Sequence, residues 1–161
     1  MTVFLMGKLF MYKKLLLSAA LLVMTASSYA DGARTNLNIA MAQTIVDGCL
    51  KYATTNSLTN IAISIFDDHG NLKLFYRLDG AAVGAANAAQ WKARSAAIYR
   101  TTTIDTASWN VPSTPDIAVI PGGVPIVTKS GDPIGAIGVA GASPEQDVNC
   151  SNAGIKAAGL F

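Results

Sequence analysis

Residues 61–78 constrain the fold more than any other stretch of this chain. Ile61, Ile63 and Ile65 alternate with Ala62, Ser64 and Phe66, then come Asp67-Asp68-His69-Gly70-Asn71, and a second alternating run extends from Leu72 to Leu78. A side-chain period of two marks a strand, and Asp, Gly and Asn between two such runs mark a turn. Strands joined by so short a turn pair antiparallel, because a parallel pair requires a crossover of about a dozen residues or more. The chain is therefore committed to a β-hairpin whose faces need covering.

Helical periodicity surrounds the hairpin. From Asn36 to about Thr55, Leu37, Met41, Ile45 and Cys49 recur every four residues with Val46 and Leu50 beside them, and Thr35 or Asn36 suits the N-cap. After Asp79-Gly80, the segment from Gly84 to about Thr101 is Ala-rich. On one helical face it carries Ala88, Trp91, Ser95 and Ile98, and on another Ala85, Ala89, Lys92, Ala96 and Tyr99. Small side chains let such a helix lie close against a neighbour. Thr101 to Pro115 is polar and Thr-rich without a period, which predicts an irregular linker.

Ile117 to Ile120, Val124 to Thr128 and Pro133 to Val139 are short β-type runs, separated by Pro121-Gly122-Gly123 and Lys129-Ser130-Gly131-Asp132. Ser143-Pro144-Glu145-Gln146 places a capping serine, a proline at the first helical position and a glutamine at the third, so a last helix should run to about Ala158. The expected fold class is α/β, more strictly α+β, with a central antiparallel sheet of about five strands flanked by helices.

The N-terminus reads differently. Lys13 and Lys14 precede the apolar run Leu15 to Met24, and Ser28-Tyr29-Ala30 is a small-x-small cleavage site, so residues 1–30 are expected to be a cleavable signal peptide with Met11 a possible true start. An apolar run of about ten residues is short of the roughly 20 that a membrane-spanning helix needs. The expected product is a single domain of residues 31–161, periplasmic or secreted, with no stable membrane anchor. The chain has 12 basic and 10 acidic residues; three of the basic ones lie in the leader, leaving nine against ten and a net charge of −1. Nucleic acid and anionic surfaces need a basic excess that this domain lacks.

Cys49 and Cys150 are the only cysteines. An oxidising compartment permits a bridge between the first and last helices, and two separate buried thiols are the other reading.

Several residues can carry chemistry. His69, the single histidine, is a possible metal ligand beside Asp67 and Asp68, although turn chemistry alone accounts for all three. Arg77 and Asp79 end a strand that points toward the next helix, and Lys92 sits in small or apolar surroundings; a cation there can hold a carboxylate, or Lys92 can simply pair with Asp79, or Arg77 with Asp147. Pro121, Gly122 and Gly123 can present backbone amides to an anion or simply form a turn. Glu145, the only glutamate, sits at a helix N-terminus, where local amides favour anchoring over general-acid work. Gly135, Gly138 and Gly141 imitate a phosphate fingerprint but lie in and after a strand instead of opening a helix. No Cys-x-x-Cys-His, zinc spacing, nucleophile elbow or Walker loop occurs.

Five ordered segments together resemble the GlcG/HbpS family of small haem-binding or haem-degrading domains, related to the C-terminal domain of PduO proteins. They are Asp67 to Ala81, Gln90-Trp91-Lys92-Ala93, Pro121 to Pro125, Gly135 to Gly141, and Pro144-Glu145-Gln146-Asp147. The resemblance implies a profilin-like domain, self-assembly into a homo-oligomer, and haem or a related tetrapyrrole as the small-molecule ligand. In that setting Arg77, Asp79, Lys92, the Pro121-Gly122-Gly123 turn and Glu145 are the candidate haem-binding residues, and any histidine attachment would have to use His69. Two alternatives stand beside this reading: an enzyme acting on haem or a small carboxylate, with Lys92, Asp79 and Glu145 in acid-base roles, and a purely structural assembly protein.

Overall fold

The computed structural model describes residues 35–111 and 113–160. The signal-peptide expectation for residues 1–30 therefore lies outside the described residues.

The hairpin forms where alternation placed it, with β1 over Ala62–Asp67 and β2 over Leu72–Arg77 paired antiparallel. Gly70 turns the chain at φ 76°, a left-handed conformation that glycine adopts without a Cβ penalty. β3 (Gly123–Val127) and β4 (Pro133–Ala140) make a second hairpin, and β4 pairs with β1, giving the order β2-β1-β4-β3 with every neighbouring pair antiparallel.

Four strands form where about five were expected. Ile117 to Ile120 does not join the sheet, because side chains satisfy its backbone instead. The Ala118 amide donates to Ser95 Oγ at 2.8 Å, and the Ala118 carbonyl accepts from Thr106 Oγ1 at 2.5 Å. With its polar groups met this way, the segment needs no strand partner.

Helices cover both faces. α1 (Ile39–Thr55) and α4 (Pro144–Ala157) pack on the face that presents Ile61, Ile63, Ile65, Ile126, Ile137 and Val139, forming the larger apolar core. α2 (Val83–Tyr99) packs on the other face through alanines, with Ala86 and Ala89 meeting Ala62 and Ala140, and Ala93, Ala96 and Ala97 meeting Phe66 and Ala136. The approach is close because β4 carries Gly138 there: a Cβ on it would collide with the backbone of Ala89 and Ala93.

Two local expectations differ from the structure. α1 is capped by Asn38, whose Oδ1 accepts from the Met41 amide at 2.9 Å, not by Thr35 or Asn36. Leu37 is buried in the core, so the chain stays extended past it before the helix begins. The stretch from Thr101 to Pro115, expected to be irregular, contains α3 (Thr103–Ser108), capped by Thr102. Its threonines are structural: Thr103 and Thr106 are fully buried, and Thr103 Oγ1 accepts from the Gly123 amide at 2.9 Å. α4 begins at Ser143-Pro144 with both halves of the capping box in place, as the sequence indicates.

Cys49 and Cys150 form a disulfide between α1 and α4, and both are buried in the core.

Candidate functional site

Sequence reasoning assembled the candidate residues into one set, whereas the structure distributes them over three places.

The first is a buried ion pair. Lys92 and Asp147 are each 2 % exposed, and Lys92 Nζ donates to Asp147 Oδ2 and to the Val139 carbonyl, both at 2.9 Å. The double-glycine bend makes room for this ammonium. At Gly122, with φ 126°, a Cβ would stand 2.8 Å from Lys92 Nζ and 2.5 Å from the Val139 carbonyl oxygen. Lys92, Gly122 and Gly123 are thus brought together, but around a charge already met by Asp147. The Gly123 amide is bonded to Thr103 and the Gly122 carbonyl accepts from Ser151 Oγ at 2.9 Å, so the bend serves internal packing. Burial pushes the Asp147 carboxyl above its ordinary range, outweighing the opposing pull of the Lys92 ammonium and the Ala142 amide. Glu145, two residues before Asp147, is exposed in the first turn of α4.

The second place is the tip of the β1–β2 hairpin. Asp67 Oδ1 accepts from the amides of His69 and Asn71 at 3.0 and 2.9 Å, fixing the turn. Partial burial would raise the Asp67 pKa, but these amides, the Asn71 side chain and Lys73 together lower it. A depressed folded-state pKa contributes stability above the ordinary carboxylate range, and that contribution is lost as pH falls through the folded value. Asp67→Ala should therefore cost about 1 kcal/mol near neutral pH, the scale of a partly solvated hydrogen bond. Urea melts should show the gap to wild type closing as the solution is acidified; a gap independent of pH would refute the charge-assisted bonding.

His69 projects from this tip with its side chain 74 % exposed, and its Nδ1 lies 3.0 Å from Asp68 Oδ1. Carboxylate contact at Nδ1 fixes the tautomer that keeps Nε2 available to a metal. Donor atoms of Asp67, Asp68 and His69 lie within 4.8 Å of one another. Behind the tip, Arg94 Nη1 donates to the Gly70 carbonyl at 2.6 Å and Arg94 Nε lies 3.4 Å from Asp116 Oδ2, both side chains being about half exposed. Leu72 and Ile98 expose apolar surface here, and Ile98 packs within reach of Gly70. Arg94 was not singled out in the sequence, although its position 24 residues from Gly70 carries no local signal.

The third place is the far end of β2. Arg77 Nε and Nη2 both donate to the Ala81 carbonyl, at 2.9 and 2.5 Å, closing the connection to α2. Asp79 lines a cavity of about 500 Å³ with Leu50, Ala53, Thr54, Leu58 and Leu78. Lys92, Gly122, Gly123 and Glu145 do not line it.

Comparison with known proteins follows the same division between fold and site. A family model described as haem degrading protein, HbpS-like, matches residues 37–156. No curated protein sequence matches. Among solved structures, that of PduOC in complex with haem superposes with a TM-score of 0.73 at 21% identity, covering 79% of this chain and 98% of that one. Protein ORFY of Klebsiella pneumoniae gives 0.71 at 25% identity, over 84% of this chain and 99% of that one. A double mutant of HbpS from Streptomyces reticuli gives 0.69 at 26% identity, over 76% and 86%. These likenesses agree with the α+β fold described above.

Proposed function

This chain belongs to the HbpS-like family of haem degrading proteins, and from that premise we propose that it is an exported, self-assembling protein that binds haem or a related tetrapyrrole. The observation that carries the reading is the family match across residues 37–156, nearly the whole described domain.

The residues at the hairpin tip fit the group. His69 offers Nε2 while Asp68 holds Nδ1, Leu72 and Ile98 offer apolar contact, and the Arg94 guanidinium offers a partner for a propionate. The Arg94–Asp116 pair is half exposed, and such pairs are weak enough for a ligand carboxylate to compete. Haem, when bound, would supply the iron and the redox chemistry; the chain's own contribution is to orient the imidazole and to hold the propionate edge. Lys92 is not assigned to the ligand, since its ammonium is buried and already bonded.

Two further observations support the rest of the reading. A disulfide suits an oxidising compartment, which agrees with an exported protein whose residues 1–30 act as a leader cleaved after Ala30. Ile104, Trp109, Val119 and Ile120 expose apolar surface between α2 and β3 in sequence, of the kind that subunit contacts cover. An acid-base enzyme built on Lys92, Asp79 and Glu145 is not favoured, because these three line no common cavity.

Haemin titration of the mature chain tests the proposal. A saturable Soret shift at micromolar protein is expected, and His69→Ala should remove the spectral signature of imidazole ligation while leaving the thermal midpoint unchanged, the ring being largely solvated. No saturable shift would reject haem, and an unaltered spectrum in His69→Ala would reject the assigned ligand.

A further inference from the structure

We infer that the cavity at the far end of β2 binds a small primary ammonium ion with an apolar tail, separately from haem. Its volume of about 500 Å³ falls within the range of small-molecule sites, about 300–1,000 Å³. The wall is apolar, with Leu50 and Ala53 from α1, Leu58 from the following loop and Leu78 beyond β2.

The charge in the lining has one sign. Asp79 is its only charged side chain, and its carboxylate makes no hydrogen bond or ion pair among the described residues. Arg77, two residues away, is turned to the Ala81 carbonyl and does not neutralise it. The hydroxyls of Thr54 and Thr59 donate to the Leu50 carbonyl and to Asn60 Oδ1, at 2.9 and 3.1 Å. Each hydroxyl has one proton, already committed in these bonds, so its oxygen has only acceptance left to offer. A lone carboxylate suits a cationic N–H donor and disfavours an incoming carboxylate.

Two features narrow the class. No aromatic residue lines the cavity, so the cation–π cage that favours quaternary ammonium groups is missing, and a primary ammonium with three N–H donors fits better. The leucines provide burial for an alkyl tail. The cavity is also held in shape. The Leu58 amide donates to the Ala53 carbonyl at 2.9 Å, and Gly80 lies so close to the loop that a Cβ would stand 2.5 Å from Asn60 Oδ1 and 2.8 Å from the Thr59 carbonyl oxygen.

The test compares three probes of one shape, pentylamine, 1-pentanol and pentanoate, titrated into the ¹⁵N-labelled mature chain at pH 7. Pentylammonium should shift amides of residues 50–60 and 78–80 and bind about tenfold or more tighter than pentanol, the scale of one hydrogen bond to a charged group. Pentanoate should leave those amides unmoved. Asp79→Asn should fold normally, its side chain being exposed, and should lose the preference for the amine. Equal binding of all three probes, an undiminished preference in Asp79→Asn, or no shift with pentylamine at tens of millimolar would each overturn the inference. Haemin titration of Asp79→Asn should match wild type, because His69 and Asp79 flank opposite ends of β2. The two ligand readings therefore stand or fall separately.

Discussion

Lys92→Met is expected to destabilise the fold by about 3–5 kcal/mol at neutral pH, because it leaves the Asp147 carboxylate buried without its cation. The Ala142 amide, 3.2 Å from Asp147 Oδ1, remains as a partner but brings no full charge. Lys92→Met/Asp147→Leu should recover most of the loss, since exchanging a buried ion pair for apolar groups is often neutral or stabilising. The pH dependence has a definite sign. Burial raises the Asp147 pKa in the folded state, so the folded chain retains this proton more tightly than the unfolded chain. Stability from this group is therefore present at low pH and declines as pH rises through the folded-state value. Removing the lysine steepens that decline and carries it to higher pH. Urea denaturation of wild type and variant across the acidic to neutral range checks this, and parallel stability curves would exclude the buried pair.

Cys49→Ala/Cys150→Ala is expected to cost about 2–5 kcal/mol. The bridge spans a sequence separation of 101, for which the chain-entropy account gives about 4.7 kcal/mol. Most of this effect resides in the unfolded chain, which the bridge keeps compact, so the denaturant slope should increase while the folded-state spectrum is retained. Both positions are fully buried between α1 and α4, so lost sulfur packing adds to the cost. An unchanged urea midpoint would contradict the argument. Intact mass after alkylation without reductant gives an independent check: two modified cysteines would show the bridge absent.

The candidate site was only partly legible in the sequence. Asp67-Asp68-His69-Gly70-Asn71 indicates a turn that exposes its histidine, and the structure has that turn. The sequence suggests Lys92 with Asp79 or Arg77 with Asp147, whereas the structure pairs Lys92 with Asp147; nothing in either segment signals that pair, because the two residues stand 55 positions apart. Gly122 and Gly123 resemble an anion-binding bend by composition. Their role in admitting a lysine becomes visible only when α2 lies over β4. Arg94 had no signal at all: its neighbours at the site, Gly70 and Asp116, come from two other segments.

Local steric and hydrogen-bonding rules act over a few residues, and what they govern was fixed before the chain folded: antiparallel pairing at short turns, the Ser143 cap and the alanine face of α2. Tertiary structure alone decided that Ile117 to Ile120 stays out of the sheet, that Lys92 is enclosed with Asp147, and that Asp79 borders a separate cavity. Those outcomes depend on which side chain first reaches an unmet backbone group or a buried charge. That is set by the stacking of whole helices on the sheet, and no window of sequence contains it.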